Sequence, residues 1–472
     1  MERTIAGEVE AYQAAWAAAR GAAAAATAAW AEQTGDELAR AIAVGAAADF
    51  GAEGLDPSFD RVAELLLAGR AADDLGASAE HRLLRETLRD FTGQRITPFA
   101  QQIHRGDQDV PEDIISGVAE LGLFGLSIPE TYGGSLGDRP DHIAMLIGTE
   151  ELSAGSLAAG GSLMTRPEIL VRALLSGGSE AQKRRWLPGI ASGERLVAVA
   201  VTEPDFGSDV AALQCRVVRK PDAGWSVNGA KLWCTFAGRA HLVMLLCRSG
   251  PEPGHRGLSL FVLEKPTYLG HDFEHRQPHG GMLRGRAIPT LGYRGLHTFE
   301  LVFEDYRLPD EALLGEEGRG FYLQMKGFAT GRLQTAARAV GVMQAAVRDT
   351  LAYTAQRKVF GKPVAEHELA GRMIGRMAVR LHASRRLSYA AAALHDEGGG
   401  QVEASLAKLY ASRMAEYVTR DAMQLFGGMG YGEETDVSRY FVDARVLAIF
   451  EGAEEVLALR VIGKAVQKVG GK

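Results

Sequence analysis

Glu451 stands in the middle of the apolar run "VLAIFEGAEEVLALRV" (446–461) and is followed at once by Gly452. Before it, Val446, Leu447, Ile449 and Phe450 predict a buried helix end. After it, Glu454 and Glu455 predict the acidic first turn of a new helix, where carboxylates favour the positive dipole end. A carboxylate at such a junction either caps the following helix or has a chemical task. Desolvation raises a carboxylate's pKa and makes it a more competent base.

Other familiar chemistries lack their usual signals. No GxGxxG follows a strand, and GxxxxGK[ST], HExxH and GxSxG are absent. Cys215, Cys234 and Cys247 form no CxxC and no metal-ligand cluster, so they are expected to be buried thiols of a reducing compartment.

The elements that must position Glu451 fall into an order of helices, strands, then helices. Residues 1–77 predict an Ala-rich helical extension, with Asp56 as an N-cap and Pro57 at a first helical position. Residues 78–194 predict an α domain. Within it, "TRPEI" has the form of a capping box from Thr165 to Glu168, and "GSEAQKRRWLP" reads as a helix closed before Pro188. Short β-rich runs such as "RLVAVAVTE", "GWSVNGAKLWCTFA" and "TFELVFEDYRLP" predict an antiparallel β domain over 195–310. Long helical patterns return over 311–472. The expected class is α+β and multidomain.

The chain has 472 residues, 46% hydrophobic and 24% charged, with 52 Lys and Arg against 59 Asp and Glu, for a net charge of −7. That balance argues against a general nucleic-acid binder. The start "MERTIAGEVEAYQ" places acids where a signal peptide would carry basic residues, and the Ala-rich run that follows is too weakly apolar to span a bilayer. No membrane insertion and a cytoplasmic location are expected.

Seven stretches in order across the three domains resemble the acyl-CoA dehydrogenase family: "VTEPDFGSDVA", "GAKLWCTFA", "RGLSLFVLEK", "GYRGLHTFELVFEDYRLP", "QRKVFGKPVAEHE", "QLFGGMGYGEE" and "FEGAEE". The resemblance covers roughly residues 80 to 465. It implies an N-terminal α-helical domain, a middle antiparallel β domain and a C-terminal four-helix bundle, with FAD as cofactor and an acyl-CoA as substrate. The implied reaction is α,β-desaturation, with a base at the α-proton and hydride transfer to the flavin.

In that family Glu451 matches the base. The alternative position for a base, immediately before Arg332, is Gly331, which cannot serve. Val199, Val201 and Thr202 match positions lining the flavin, Trp233 the indole packed along it, and Thr235 a hydroxyl near it. Arg357, Phe360, Gln424 and Gly428 match groups that reach the FAD of a neighbouring subunit, so a homo-oligomer, dimer or tetramer, is expected. Ser208, Phe328, Arg332 and Phe450 match substrate-contacting positions. Two departures stand out: Ala453 where threonine is frequent, and Ala329 where an acid often follows the phenylalanine.

The stretches "GGSLMTRPEI", "TLGYRGLHTFE" and "GRLQTAARAVGVMQAA" carry a closer likeness to members acting on a short, branched, dicarboxylic acyl-CoA, (2S)-methylsuccinyl-CoA, oxidised to mesaconyl-CoA. The second carboxylate of such a substrate needs a buried cation. Arg166, in the first turn of a helix bordering the family's acyl cavity, is the candidate, against the alternative of an arginine reaching a surface acid. An uncharged branched acyl-CoA such as isobutyryl-CoA, or glutaryl-CoA, is the alternative substrate. A flavin-binding nucleic-acid-protection protein is the alternative of another class. The family implies electron-transferring flavoprotein as electron acceptor.

Overall fold

The computed structural model describes residues 2–49, 54–71, 77–137, 139–221 and 224–470. The chain forms two compact units, each built from separated stretches. The helical unit comprises Met1–Gln101, Asp141–Gly161 and Arg332–Lys472, and the sheet unit comprises Gln102–Pro140 and Ser162–Gly331.

In the helical unit the long helices Glu368–Asp396 and Gln401–Phe426 pack against the N-terminal helices Glu2–Thr34, Glu37–Ala48 and Ser58–Leu67. The second of these begins where Asp36 accepts from the Leu38 and Ala39 amides at 2.8 and 3.3 Å, removing orphan donors of the first turn. Asp56 accepts from the Ser58 amide at 2.8 Å, so the third starts at Ser58 with Pro57 just ahead of it. Gly375 lets that helix approach closely, since a Cβ there would lie 2.1 Å from the Phe59 carbonyl oxygen. A buried ion pair seals the layer: Arg380 donates to both Asp49 oxygens at 2.9 Å.

The sheet unit holds β1 (Val197–Ala200), β2 (Arg216–Arg219), β3 (Trp225–Thr235), β4 (Leu242–Arg248), β5 (Leu258–Glu264), β6 (Asp272–Arg276), β7 (Met282–Ala287), β8 (Thr298–Leu308) and β9 (Leu313–Leu314). They run in the order β6-β7-β8-β3-β2-β4-β5-β9, and β1 pairs in parallel with β4. The expected antiparallel pattern dominates, but the two parallel pairings, β1–β4 and β2–β4, make the sheet mixed. Alternate residues of β4 enter opposite cores. Val243, Leu245 and Cys247 pack with Phe299 and Leu301, whereas Leu242, Met244 and Leu246 pack with Ile169, Trp186 and Ile190 of flanking helices. A strand covered on both faces reads as the continuous apolar run "LVMLLC".

Two local expectations fail. The helix Thr165–Gly177 is not opened by a capping box. Met164 before it is already in the right-handed helical region, whereas a capping residue needs extended backbone, and the buried Thr165 Oγ1 makes no hydrogen bond. Glu168 instead accepts from Arg172 Nε at 2.6 Å. The next helix does not stop before Pro188. It runs over Glu180–Ala191, because burial of Trp186, Leu187 and Ile190 outweighs the one backbone bond that proline removes. The three cysteines are free and buried, with Cys215 Sγ 3.6 Å from Cys247 Sγ.

Candidate active site

The helix Asp436–Leu447 ends one turn before Glu451, and the next helical residue is Glu454. The break is made by two successive left-handed residues, Glu451 at φ 54° and Gly452 at φ 96°. A non-glycine residue held there is strained, and such strain collects at functional sites. Ile449, expected to be buried, is exposed, because the chain leaves the helix at Ala448 and turns it outward. Glu451 makes no capping bond to the following helix, and its Oε2 is buried without a hydrogen bond. Its neighbour Glu454 is the opposite case. It accepts from Tyr12 at 2.5 Å and from both Arg413 Nε and Nη2. Of these two junction carboxylates, the buried Glu454 is satisfied structurally and the half-buried Glu451 retains an unused acceptor.

Lysine 408 fixes the turn from below. Lys408 Nζ donates to the Gly452 carbonyl at 2.7 Å, and Ser412 Oγ, one turn on, donates to the Leu447 carbonyl at 3.1 Å. Burial pulls the Lys408 pKa down to about 7, while Glu451 and Glu454 hold it up. Arg332 donates to Ser405 Oγ at 3.3 Å, and its buried Nε makes no hydrogen bond. Burial lowers the Arg332 pKa and the Glu451 charge opposes that shift. The guanidinium of Arg338 lies 4.5 Å over the Phe450 ring. The helical unit therefore brings Glu451, Phe450 and Arg332 into one cluster.

The sheet unit gathers a second set. Lys231 Nζ donates to the Val201 carbonyl at 2.9 Å and to Glu203 Oε1 at 2.7 Å, and the Leu232 amide donates to the Thr202 carbonyl at 2.8 Å. These bonds stitch the segment after β1 to the irregular stretch of β3, whose register against β8 shifts between Lys231 and Cys234. The shift leaves Trp233 at φ 60° with 55% of its surface exposed. A core tryptophan would be hidden, so this indole offers its face to something outside the sheet. Thr235 Oγ1 is 3.0 Å from Thr298 Oγ1 beside it. An exposed aromatic face, a threonine pair and a half-buried strand end at Val199 and Thr202 suit a planar, polar-edged ring system such as a flavin. Ser208 is exposed in a bend, and Phe328 is half-buried on the helix Gly320–Gln356.

A third set is exposed on the helical unit. Tyr353 stacks on Phe426 with centroids 4.1 Å apart, which brings the Arg357 end of one helix beside the Gln424 end of another. Arg357, Gln424 and Gly428 are exposed, and Phe360 is 96% exposed at φ 50°. A Cβ on Gly428 would meet nothing within 4 Å, so packing inside the chain does not demand glycine there.

Arg166 is buried rather than paired with a surface acid. Its Nη1 donates to the Ser162 carbonyl at 2.9 Å and its Nη2 to the Tyr293 hydroxyl at 2.8 Å. Among the described residues no carboxylate pairs with it.

Sequence reasoning passed over Lys408, Gln324 and Thr330. The buried Gln324 amide and the Thr330 hydroxyl make no hydrogen bond, which is costly unless a ligand supplies partners. Gln324 stands one helical turn before Phe328, a spacing that could have drawn attention to it. Lys408 carried no local signal, since a lysine in a long helical pattern reads as solvated.

Three family models match the chain. They are the acyl-CoA dehydrogenase N-terminal domain over residues 78–194, the middle domain over 198–306 and the C-terminal domain over 318–467. A (2S)-methylsuccinyl-CoA dehydrogenase from Cereibacter sphaeroides is 41% identical over 386 residues, covering 81% of this chain and 69% of that protein. Among solved structures, butyryl-CoA dehydrogenase from Megasphaera elsdenii superposes with a TM-score of 0.77 at 31% identity, covering 84% of this chain and 100% of that one. A glutaryl-CoA dehydrogenase from Mycobacterium smegmatis in complex with FADH2 gives 0.73 at 25% identity, covering 83% and 95%.

Proposed function

The chain belongs to the acyl-CoA dehydrogenase family, and from that premise we propose that it oxidises (2S)-methylsuccinyl-CoA to mesaconyl-CoA. It is an FAD-dependent oxidoreductase acting on an acyl-CoA. Bound FAD supplies the acceptor for the hydride that leaves the β-carbon, a step no side chain performs alone.

The residues of this chain do the rest. Glu451 takes the α-proton on its carboxylate, whose Oε2 has no competing donor. Lys408 holds the Gly452 carbonyl and so fixes the turn from which Glu451 projects. Trp233, Thr235, Val199, Val201 and Thr202 hold the flavin ring, and Arg357, Phe360, Gln424 and Gly428 reach a second copy's FAD in a homo-oligomer. Ser208, Phe328, Arg332 and Phe450 contact the acyl-CoA. Electron-transferring flavoprotein is the proposed acceptor of the electrons, and residues 1–77 are the proposed helical extension to the three catalytic domains.

The observation that carries the substrate is the buried Arg166 guanidinium, which has no carboxylate partner among the described residues. Each of its terminal nitrogens makes one hydrogen bond and bears a second N–H. A dicarboxylic acyl chain supplies the missing anion, and the 41% identical relative is named for such a substrate. The test is anaerobic flavin bleaching with methylsuccinyl-, isobutyryl-, butyryl- and glutaryl-CoA at equal concentration. Methylsuccinyl-CoA should bleach fastest; faster bleaching by the uncharged chains would discard the dicarboxylic substrate and leave the family standing.

A further inference from the structure

Away from Glu451, the sheet unit draws two histidines and two aspartates together at the ends of β6 and β8. Asp107 follows the helix Thr97–Gly106, His271 precedes β6 and His297 precedes β8. His271 Nε2 is 3.1 Å from Asp107 Oδ2, and His297 Nδ1 is 3.7 Å from Asp107 Oδ1. The two imidazole centroids are 4.2 Å apart. One ligand atom from each of Asp107, His271 and His297 can be chosen so that all lie within 4.8 Å of one another. Nitrogen and oxygen ligands about 2.0–2.1 Å from a tetrahedral ion stand about 3.3 Å apart, so the three groups need small shifts to meet one ion.

We propose that Asp107, His271 and His297 form a binding site for a divalent transition-metal ion of the zinc class, with Asp109 orienting His297. The opposite face of the His297 ring points its Nε2 at Asp109 Oδ1, 3.3 Å away, and that nitrogen is buried without a formed hydrogen bond. Asp109 is itself anchored, because its Oδ2 accepts from the Gly270 amide at 2.7 Å. Carboxylate, imidazole and ion in line is the arrangement by which proteins fix the tautomer of a metal-bound histidine.

Charge favours an ion over two simple ion pairs. Protonating both imidazoles would set like charges 4.2 Å apart, whereas a dication accepts both neutral rings and neutralises the two carboxylates. Arg294 Nε lies 3.9 Å from Asp107 Oδ1, but it donates to the Thr290 carbonyl, and Nη1 to the His104 carbonyl, each at 3.0 Å. Its Nε and Nη1 donors are thus committed to carbonyls rather than to the aspartate. His271 is half exposed, which leaves an entry path from solvent.

The position gives the ion a consequence. The His297 carbonyl accepts from the Phe236 amide at 2.8 Å, and the next residue, Thr298, pairs with Thr235. Tying His297 to Asp107 and His271 would stiffen the strand ends that carry this threonine pair.

The test uses FAD-loaded protein dialysed against a chelator, titrated with Zn2+, and assayed for retained zinc after gel filtration and for thermal stability. Wild type should retain one more Zn2+ per chain than Asp107→Ala/His271→Ala and should melt higher as Zn2+ is added. The double variant should bind zinc about tenfold or more weakly and lose that shift. Both replaced side chains are at least a third exposed, so the fold tolerates their loss, and circular dichroism of the variant checks it. His279→Ala removes an exposed histidine of the same unit and should change neither reading. Equal zinc retention by wild type and the double variant, or no zinc-dependent stabilisation of wild type, overturns the site.

Discussion

At the scale of single residues, two polar groups with unused hydrogen-bonding capacity, Glu451 and Arg166, carry the functional reading. Glu451 is held in a left-handed conformation with one carboxylate oxygen unused, while Glu454 three residues on is saturated by Tyr12 and Arg413. Glu451→Gln keeps the shape and removes the proton acceptor. Flavin content should be unchanged, and the rate of flavin reduction by substrate should fall by about 10²–10⁴, as general-base loss does. Stopped-flow reduction under nitrogen measures it; a rate near wild type would remove Glu451 from the chemistry. Arg166→Ala leaves Tyr293 in place but removes the cation. Binding of a dicarboxylic acyl-CoA should weaken by about 2–5 kcal/mol, with little change for butyryl-CoA, read as the ratio of the two kcat/KM values.

At the scale of elements, the junction is held by its neighbours rather than by its own sequence. Lys408, inside the helix Gln401–Phe426, reaches the Gly452 carbonyl. Lys408→Met leaves that carbonyl without its donor, at a cost of about 1–3 kcal/mol, and lets the Glu451 turn relax. Because a misplacement of about 1 Å costs on the order of 100-fold, kcat should fall far more than flavin affinity. A parallel loss of flavin would point to general unfolding instead. The N-terminal helices are tied in as firmly. Asp49→Ala strands the buried Arg380 guanidinium and should lower unfolding stability by about 3–5 kcal/mol in a denaturant titration.

At the scale of the whole molecule, two buried lysines give stability a pH dependence. Burial pulls both Lys408 and Lys265 down to about 7. In the unfolded chain each keeps its proton up to about pH 10.4. Between these values the unfolded state binds more protons, so stability rises with pH; below about 7 both states are protonated and the difference stays constant. From pH 7 to about 8, below the midpoint at which unfolded cysteines ionise, the two together should add about 2 kcal/mol. Denaturant midpoints across that range, compared with Lys265→Met, test the sign; a falling midpoint would contradict it.

What the amino-acid sequence determined by itself was whatever depends on local pattern. The order of helices, strands and helices follows from hydrophobic period, and the family follows from short motifs whose spacing survives without knowledge of the fold. Glu451 was legible because a carboxylate between apolar runs violates the pattern around it. Tertiary structure decided what depends on long-range partners. Thr165 fails as a cap because the preceding turn is already helical, and Pro188 stays inside its helix because tertiary burial outweighs one lost hydrogen bond. Lys408 acquires its task from a carbonyl 44 residues away. Asp107, His271 and His297 become a cluster only when β6 and β8 bring their ends beside one helix terminus. Propensity acts between near neighbours, whereas burial, charge pairing and ligand geometry act between whatever the fold brings together.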